Sequence, residues 1–447
     1  MVFLTKALFL IVRFLGIGHG STWPGEIALT LRKDFIRRVL AKNPKLQVVL
    51  VVGTNGKTTC TKLISHILEE NGLRTFSNKT GANLVNGIAS ALIENANIFG
   101  RYKYDVAVFE VDENMLPILT TQFAPKAILA LNLFRDQLDR YGEVDTIRAR
   151  WEHCFSALLN KTTVILNGQD PNLFFLGKKI NKKVRYFGLK DETIADNHIL
   201  SVEADATYCP ICLRPLTFSK IAYSHIGIFK CENCGSNENS CTDLGEEVKS
   251  PLQGVFNRYN VSAVSLLLKT VFGLSIKNIN RGLKSFEPAF GRQETIDFQG
   301  RKILIQLSKN PVGFNQSIGL IGKAKAPKTK VIILLSDATP DGHDVSWIWD
   351  VDFEELVQRV EKIWVSGHRA YDMGIRIKYA LREISGGKVD DRSIKRKLSV
   401  SWDVENILRE VLASSQPGDL IYAFPVYSEM LDFRKRLIGD SMEIKNR

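Results

Sequence analysis

The chain of 447 residues has no internal repeat, no long low-complexity linker and no apolar run able to span a bilayer. A spanning helix needs about 20 predominantly apolar residues. The stretch from Val2 to Leu15 is shorter and is broken by Lys6 and Arg13. No small-residue cleavage site follows it, so it does not read as a secretory signal. It reads as an amphipathic helix, either packed on the protein or lying on a membrane surface. The seven cysteines cannot all pair, and four of them fall into two tight pairs. That pattern argues against a disulfide framework and for metal binding in a reducing compartment.

What is present is globular in composition, with 45% hydrophobic and 24% charged residues. At 447 residues the chain exceeds the size at which one core keeps growing, so two or three domains are expected. Its net charge of +12, from 60 basic and 48 acidic residues, favours an anionic partner such as nucleotide, nucleic acid or lipid. The excess is uneven. Residues 1–47 carry eight basic side chains against two acidic ones, Glu26 and Asp34, a surplus of six in the total of twelve.

Gln47-Val-Val-Leu-Val-Val-Gly-Thr54 is a short apolar run ending in glycine, followed by a helical pattern from Lys57 to about Asn71. Strand, tight loop and helix are expected there. Further buried-type strands are expected at Tyr104–Glu110 and Ala127–Asn132, each followed by polar residues. Strands alternating with helices predict an α/β fold with a parallel, doubly wound sheet, its ligand at the C-terminal strand ends. The cysteine-bearing segment at about 203–241 interrupts the pattern as an insertion. A helical stretch opens at Gly254–Asn260, and Phe290-Gly-Arg-Gln-Glu294 marks a boundary. Strands at Lys302–Gln306, Lys330–Leu335 and Lys362–Ser366 continue a second α/β unit. The expected organisation is a basic segment 1–45, a central domain 46–295 and a C-terminal domain 296–447.

A glycine-rich turn between strand and helix lets backbone N–H groups surround phosphate oxygens, and the helix N-terminus adds positive potential. Gly53, Thr54, Asn55, Gly56, Lys57, Thr58 and Thr59 form such a turn. Gly53 and Gly56 would permit it, Lys57 would reach the β- and γ-phosphates of ATP, and Thr58 would ligate Mg²⁺. Val51 stands where the stricter phosphate-loop pattern has its first glycine. Glu110 and Asp112, after the next strand, are placed to hold the metal directly or through water. Cys209-Pro-Ile-Cys212 and Cys231-Glu-Asn-Cys234 have the spacing of a zinc ribbon. Four thiolates around Zn²⁺ leave no position for water, so the site should be structural. His225, between the pairs, reads as a surface or packing residue.

Thr54-Asn-Gly-Lys-Thr-Thr59, Thr80-Gly-Ala-Asn83, the Glu110 strand, Asn132 to Gly142, Asn257 to Asn260 and Gly291-Arg292 together resemble the Mur ligase superfamily. The resemblance implies a central phosphate-loop domain carrying the zinc ribbon, then a smaller Rossmann-like C-terminal domain. By the same likeness Asn257 and Arg292 help hold the nucleotide. Within the superfamily the chain resembles the MurT branch, on Phe134-Arg-Asp-Gln-Leu-Asp-Arg140, the inserted cysteine pairs, Lys309–Asn315 and Asp341–Asp352.

That branch implies ATP-dependent amidation of the D-glutamate α-carboxylate of lipid II by a heterodimer with a GatD-type class I glutaminase. The setting would be cytoplasmic or peripheral at the inner face of the membrane. The implied contribution to the glutaminase is an aspartate, assigned to Asp350 with Asp352 in reserve. No cysteine, serine or histidine constellation in the chain supports a glutaminase of its own. Two departures separate it from ordinary Mur ligases. Only about 45 residues precede the first strand, too few for a UDP-sugar domain, and no lysine occurs between Lys126 and Lys161 to form the carbamate that holds a second metal. Glu143 or Glu152 could supply that charge. The rival readings are a Mur or folylpolyglutamate-type amino-acid ligase, and a zinc-ribbon module acting on nucleic acid. The aromatic-and-basic strand motif of nucleic-acid modules is absent, so no nucleic acid is expected.

Overall fold

Val48 to Val52 carry no polar side chain, a pattern that suits a strand covered on both faces. The computed structural model describes residues 22–79, 81–136, 144–180, 182, 184–190, 194, 204–237, 248–288, 291–321, 329–388 and 390–438. The expected amphipathic helix with Lys6 and Arg13, Thr80, residues 137–143 with Glu143, Cys241 and Phe290 lie outside them. The described residues form two compact units. One runs to Phe134 and continues from Val144 to Glu287; the other holds Arg135, Asp136 and the chain from Pro288.

The first unit is built on β1 (Gln47–Val52), β2 (Thr75–Ser77), β3 (Val106–Glu110), β4 (Ala127–Ala130), β5 (Thr163–Asn167) and β6 (Val184–Phe187). They lie in the order β2-β3-β1-β4-β5-β6, with every pairing parallel. Val51 sits beside Glu110 and Val52 beside Ala130, so the residues following β1, β3 and β4 leave the sheet at one edge. β3 and β4 are shorter than expected. Asp105 leaves the ladder to bind Arg74, and Asn132 turns toward the loop after β1.

Helix Trp23–Leu31 joins this unit by packing on helix Val85–Asn95, and Gly25 N donates to Ser90 Oγ at 2.8 Å. The described part of the basic N-terminal segment is therefore part of the central fold. The cysteine insertion contributes an antiparallel hairpin, β7 (Thr217–Tyr223) and β8 (Ile226–Lys230).

The second unit holds β9 (Arg292–Phe298), β10 (Arg301–Gln306), β11 (Lys330–Leu334), β12 (Lys362–Ser366), β13 (Leu398–Val400) and β14 (Leu420–Pro425) in the order β13-β12-β11-β14-β10-β9. Only β9 is antiparallel, and it pairs with β10. The boundary expected at 295/296 thus falls inside β9, whose pairing places it in the second sheet. Buried Ile303, Ile332, Trp364 and Phe433 fill one face of this sheet; Ile333, Val365, Phe353 and Phe424 fill the other. Among the described residues no helix is long and apolar enough to cross a membrane.

A methyl group on Gly25 would lie 1.8 Å from the Asn86 carbonyl oxygen. Gly25→Ala must push the two helices apart, and overpacking of this kind costs about 1–3 kcal/mol. A denaturant titration should show a lower midpoint, and an unchanged midpoint would refute this packing.

Candidate functional site

The loop after β1 is fixed by contacts distant in sequence. Thr54 N donates to Asn132 O at 3.2 Å, Asn55 N donates to Asn132 Oδ1 at 2.8 Å, and Asn132 Nδ2 donates to Asn55 O at 3.0 Å. Phe134 N donates to Thr54 Oγ1 at 3.0 Å, and that hydroxyl donates to Phe134 O at 3.2 Å. The segment after β4 therefore holds the loop along one side. On the other, a Cβ at Gly56 would meet Asn260 Oδ1 at 2.4 Å, and Gly56 has φ +90°, a region other residues rarely adopt. Asn260 Nδ2 donates to Asn257 Oδ1 at 3.1 Å, so both asparagines of helix Val255–Phe272 support this wall.

Helix Lys57–Glu70 begins directly after Gly56, which sets the partially positive N-terminal end of the helix at the loop. Lys57 is only 7% exposed. Its Nζ donates to Gly53 O at 2.5 Å and Thr54 O at 3.3 Å, and it pairs with Glu113 Oε1 at 3.3 Å. Thr58 Oγ1 donates to Glu110 Oε2 at 2.8 Å. Glu110 is fixed at its backbone, since its N donates to Asn78 Oδ1 at 2.9 Å and its O accepts from Asn78 Nδ2 at 2.9 Å. The structure thus brings together Gly53–Thr58 and Glu110, with Asn257 one side chain removed. Asp112, 2% exposed, accepts from Asn114 N at 3.0 Å and turns the chain into the next helix. Thr59 is buried in the first turn of its helix. Arg292 opens β9 in the second unit.

Sequence reasoning overlooked Glu113, the carboxylate that meets Lys57. Glu110 ends β3 and Asp112 and Glu113 follow it, and only the fold shows which of the three faces the lysine. Glu152 is held by Lys179 at 3.2 Å. The buried Cys60 thiol, in the same helix as Lys57, has its pKa pushed up by burial, and its Sγ donates to the Asn260 carbonyl oxygen at 3.9 Å.

The four sulfurs of Cys209, Cys212, Cys231 and Cys234 lie within 4.8 Å of one another. The Cys209–Cys234 and Cys212–Cys231 separations are 3.7 and 3.4 Å. These are far beyond a disulfide bond, but they approach the edge of about 3.8 Å of a tetrahedron with metal–sulfur bonds of about 2.3 Å. Burial pushes the Cys209 thiol up to about 12, whereas the Ser236 hydroxyl holds Cys234 down to about 6. A cation among them would hold all four as thiolates. His225 is fully buried, 0% exposed, and lies outside this cluster.

In the second unit, Asp350 ends the 3₁₀ turn Ser346–Asp350, half-buried, with Arg135 Nη1 at 3.6 Å. Asp352 precedes helix Phe353–Arg359, and its N donates to Asn315 Oδ1 at 2.9 Å. Asp136, beside Arg135, receives Lys309 Nζ at 2.5 Å.

Residues 51–268 match the Mur ligase middle domain and residues 307–430 match the MurT ligase C-terminal domain. The chain is 32% identical over 383 residues, 82% of this chain and 84% of the relative, to the lipid II isoglutaminyl synthase (glutamine-hydrolyzing) subunit MurT of Staphylococcus aureus strain COL. The chain belongs to the MurT family. Its identity to the MurT subunit of Streptococcus pneumoniae R6 is 31% over 448 residues, covering 94% of this chain and 93% of that one. The Mur ligase fold is seen in a pseudomurein peptide ligase type C from Methanothermus fervidus, with a TM-score of 0.61 at 19% identity over 90% of this chain and 80% of that chain. The MurT C-terminal match favours this family over an amino-acid ligase or a nucleic-acid module.

Gly56→Ala combines a clash with Asn260 and an unfavourable φ, so nucleotide affinity should fall at least tenfold with little loss of the sheet. Nucleotide titration alongside circular dichroism tests this. An affinity equal to wild type would show that the glycine cradle is dispensable.

Proposed function

We propose that the chain is the synthetase subunit of a glutamine-dependent amidotransferase that converts the D-glutamate α-carboxylate of lipid II to the amide of D-isoglutamine. The observation that carries the reading is the loop Gly53–Thr59, whose glycine cradle, buried Lys57 and Thr58–Glu110 pair suit a nucleotide triphosphate with Mg²⁺. The names of the MurT relatives support the substrate and the amidation.

The carboxylate oxygen attacks the γ-phosphorus of ATP and ADP leaves, giving an acyl phosphate. Ammonia then attacks the acyl carbon, inorganic phosphate leaves, and a proton is lost to give the carboxamide. Lys57 offsets phosphate charge as it accumulates on the leaving oxygens. To do so its amine moves from Glu113 and the loop carbonyls toward the phosphates. Thr58 Oγ1 and Glu110 would hold Mg²⁺, which supplies further charge neutralisation when bound. Asn257 and Arg292 are assigned to the nucleotide by family likeness. The cysteine cluster would hold a structural Zn²⁺, since four thiols at tetrahedral spacing leave no position for a reacting water.

Ammonia would come from a GatD-type class I glutaminase forming a heterodimer with this chain, and Asp350 would complete the partner's Cys–His pair. Binding at the inner face of the membrane would bring the chain to its lipid-linked substrate.

Lys57→Ala should lower ATP turnover with lipid II and ammonium by at least a hundredfold; it also removes the ammonium from beside the buried Glu113, so thermal unfolding should come earlier, with circular dichroism at the assay temperature still that of the folded chain. Retained turnover would remove the phosphate-loop assignment.

Asp350→Asn separates the two half-reactions. A histidine that deprotonates a cysteine needs a carboxylate to orient its ring and stabilise the imidazolium; the amide keeps the shape and loses the charge. Glutamine-driven amidation in the complex should fall by about 10³–10⁴-fold, with ammonium-driven amidation largely spared. Loss on Asp352→Asn instead would move the role to that residue, and full activity in both variants would show that the partner completes its own triad.

A further inference from the structure

The hairpin β7–β8 ends in Ser224 and His225, and this tip is buried in the first unit. His225 Nδ1 accepts the N–H groups of Asp205 at 3.2 Å and Ala206 at 3.4 Å, which leaves the ring proton on Nε2. Among the described residues Nε2 has no hydrogen-bond partner, and it lies 3.6 Å from Asp170 Oδ1, both side chains being 0% exposed. Asp170 Oδ2 accepts Leu133 N at 2.9 Å. The imidazole also packs at a tilt against Phe134, ring centroids 4.8 Å apart and planes at 49°, and Phe134 is the residue that exchanges hydrogen bonds with Thr54 of the phosphate loop.

A second path runs in parallel. Gly227 N donates to Gln169 O at 3.0 Å, Tyr259 OH donates to Gln169 Oε1 at 2.7 Å, and Tyr259 precedes the Asn260 that walls Gly56. The cysteine end of the hairpin is anchored separately. Cys209, Cys231, Leu216 and Phe229 pack with Phe174 and Phe175 of helix Pro171–Lys179, whose N-terminus Asp170 caps. The hairpin is therefore fastened at its base to the helix and at its tip to both walls of the loop.

We propose that His225 is a positioning residue for nucleotide binding, and that the cysteine hairpin is a strut that holds the phosphate loop through Asp170, Phe134 and Tyr259. The proposal rests on the reading of Gly53–Thr59 as an ATP loop. Loss of the imidazole removes the acceptor that the Asp205 and Ala206 N–H groups share and frees Phe134 to shift, which moves Thr54. The effect falls on nucleotide affinity more than on turnover, because His225 touches neither the reacting phosphate nor Lys57.

The test compares His225→Phe and His225→Asn in the full chain with its glutaminase partner. Phenylalanine keeps the ring and loses both nitrogens; asparagine offers an amide oxygen near the position of Nδ1. In His225→Phe the KM for ATP and the Kd for ADP should rise roughly three- to thirty-fold, with kcat changed less and zinc content unchanged. His225→Asn should recover most of the affinity. Amide exchange at Leu133 and Phe134 should quicken in the phenylalanine variant alone.

Wild-type ADP affinity in His225→Phe, or equal loss in the two variants, overturns the strut. If His225→Phe does not fold, Cys234→Ser at the exposed ligand decides. Weaker ADP binding with faster exchange at Phe134 supports the proposal, and no change in either overturns it. Lys57→Ala serves as the control: if it binds nucleotide as wild type does, the ATP-loop reading itself fails. If it loses binding while His225→Phe retains it, the strut alone is wrong.

Discussion

The Lys57 ammonium lies almost wholly inside the first unit, and its surroundings set much of that unit's geometry. A buried charge without partners costs several kcal/mol, so the chain must place acceptors around it. Two are carbonyls of the loop itself, Gly53 and Thr54, which the lysine draws inward. The third is Glu113, fixed from behind by Trp151, whose Nε1 donates to the Glu113 carbonyl at 2.8 Å. Helix Val144–Ala157 is thereby tied to the phosphate loop through one indole. The arrangement is also reversible: an anion at the helix N-terminus competes with Glu113 for the ammonium without exposing either charge to an apolar wall.

The parts of this site legible in the sequence are those whose chemistry is local. Gly53, Gly56, Lys57 and Thr58 sit within six residues, and strand, turn and helix must follow one another in that order. What the sequence does not reveal is reached across long separations. Glu113 meets Lys57 from 56 positions away, and Asn132 meets Asn55 from 77. Asn260, which walls Gly56, belongs to a helix that starts after the cysteine insertion. A polar asparagine in an apolar helix carries no mark of its partner until the helix packs on the sheet.

Two other features were hidden for different reasons. β9 alternates weakly, with Ile296 as its only buried side chain, so an edge strand at the head of the second sheet looks like linker. His225 stands alone between cysteine pairs, where a histidine can equally be a surface residue or a packing residue. Its role depends on the turn at Ser224 placing the ring against Phe134 and Asp170, and the hairpin sequence alone does not specify that target.

The acidic segment from Asp337 to Glu355 shows how one composition divides into separate tasks. Asp337 binds His368 Nδ1 at 2.6 Å, and Asp341 anchors Ser428 at the start of the last described helix. Asp344 closes a turn on Ser346 N at 2.8 Å, Glu354 receives Arg376 at 2.6 Å, and Glu355 pairs with Arg359. Asp352 leads into the helix at Phe353. The carboxylates of Asp337, Asp341, Asp344, Glu354 and Glu355 are thus tied into the unit's own structure. Asp350 differs: it is about a third exposed, and its ion pair with Arg135 at 3.6 Å is longer than a hydrogen bond. Partly exposed pairs of this kind contribute at most about 1 kcal/mol, so a histidine from outside could displace Arg135 at little cost. The geometry that leaves Asp350 less committed than those five acids is also what would suit it to the proposed role in a partner's triad.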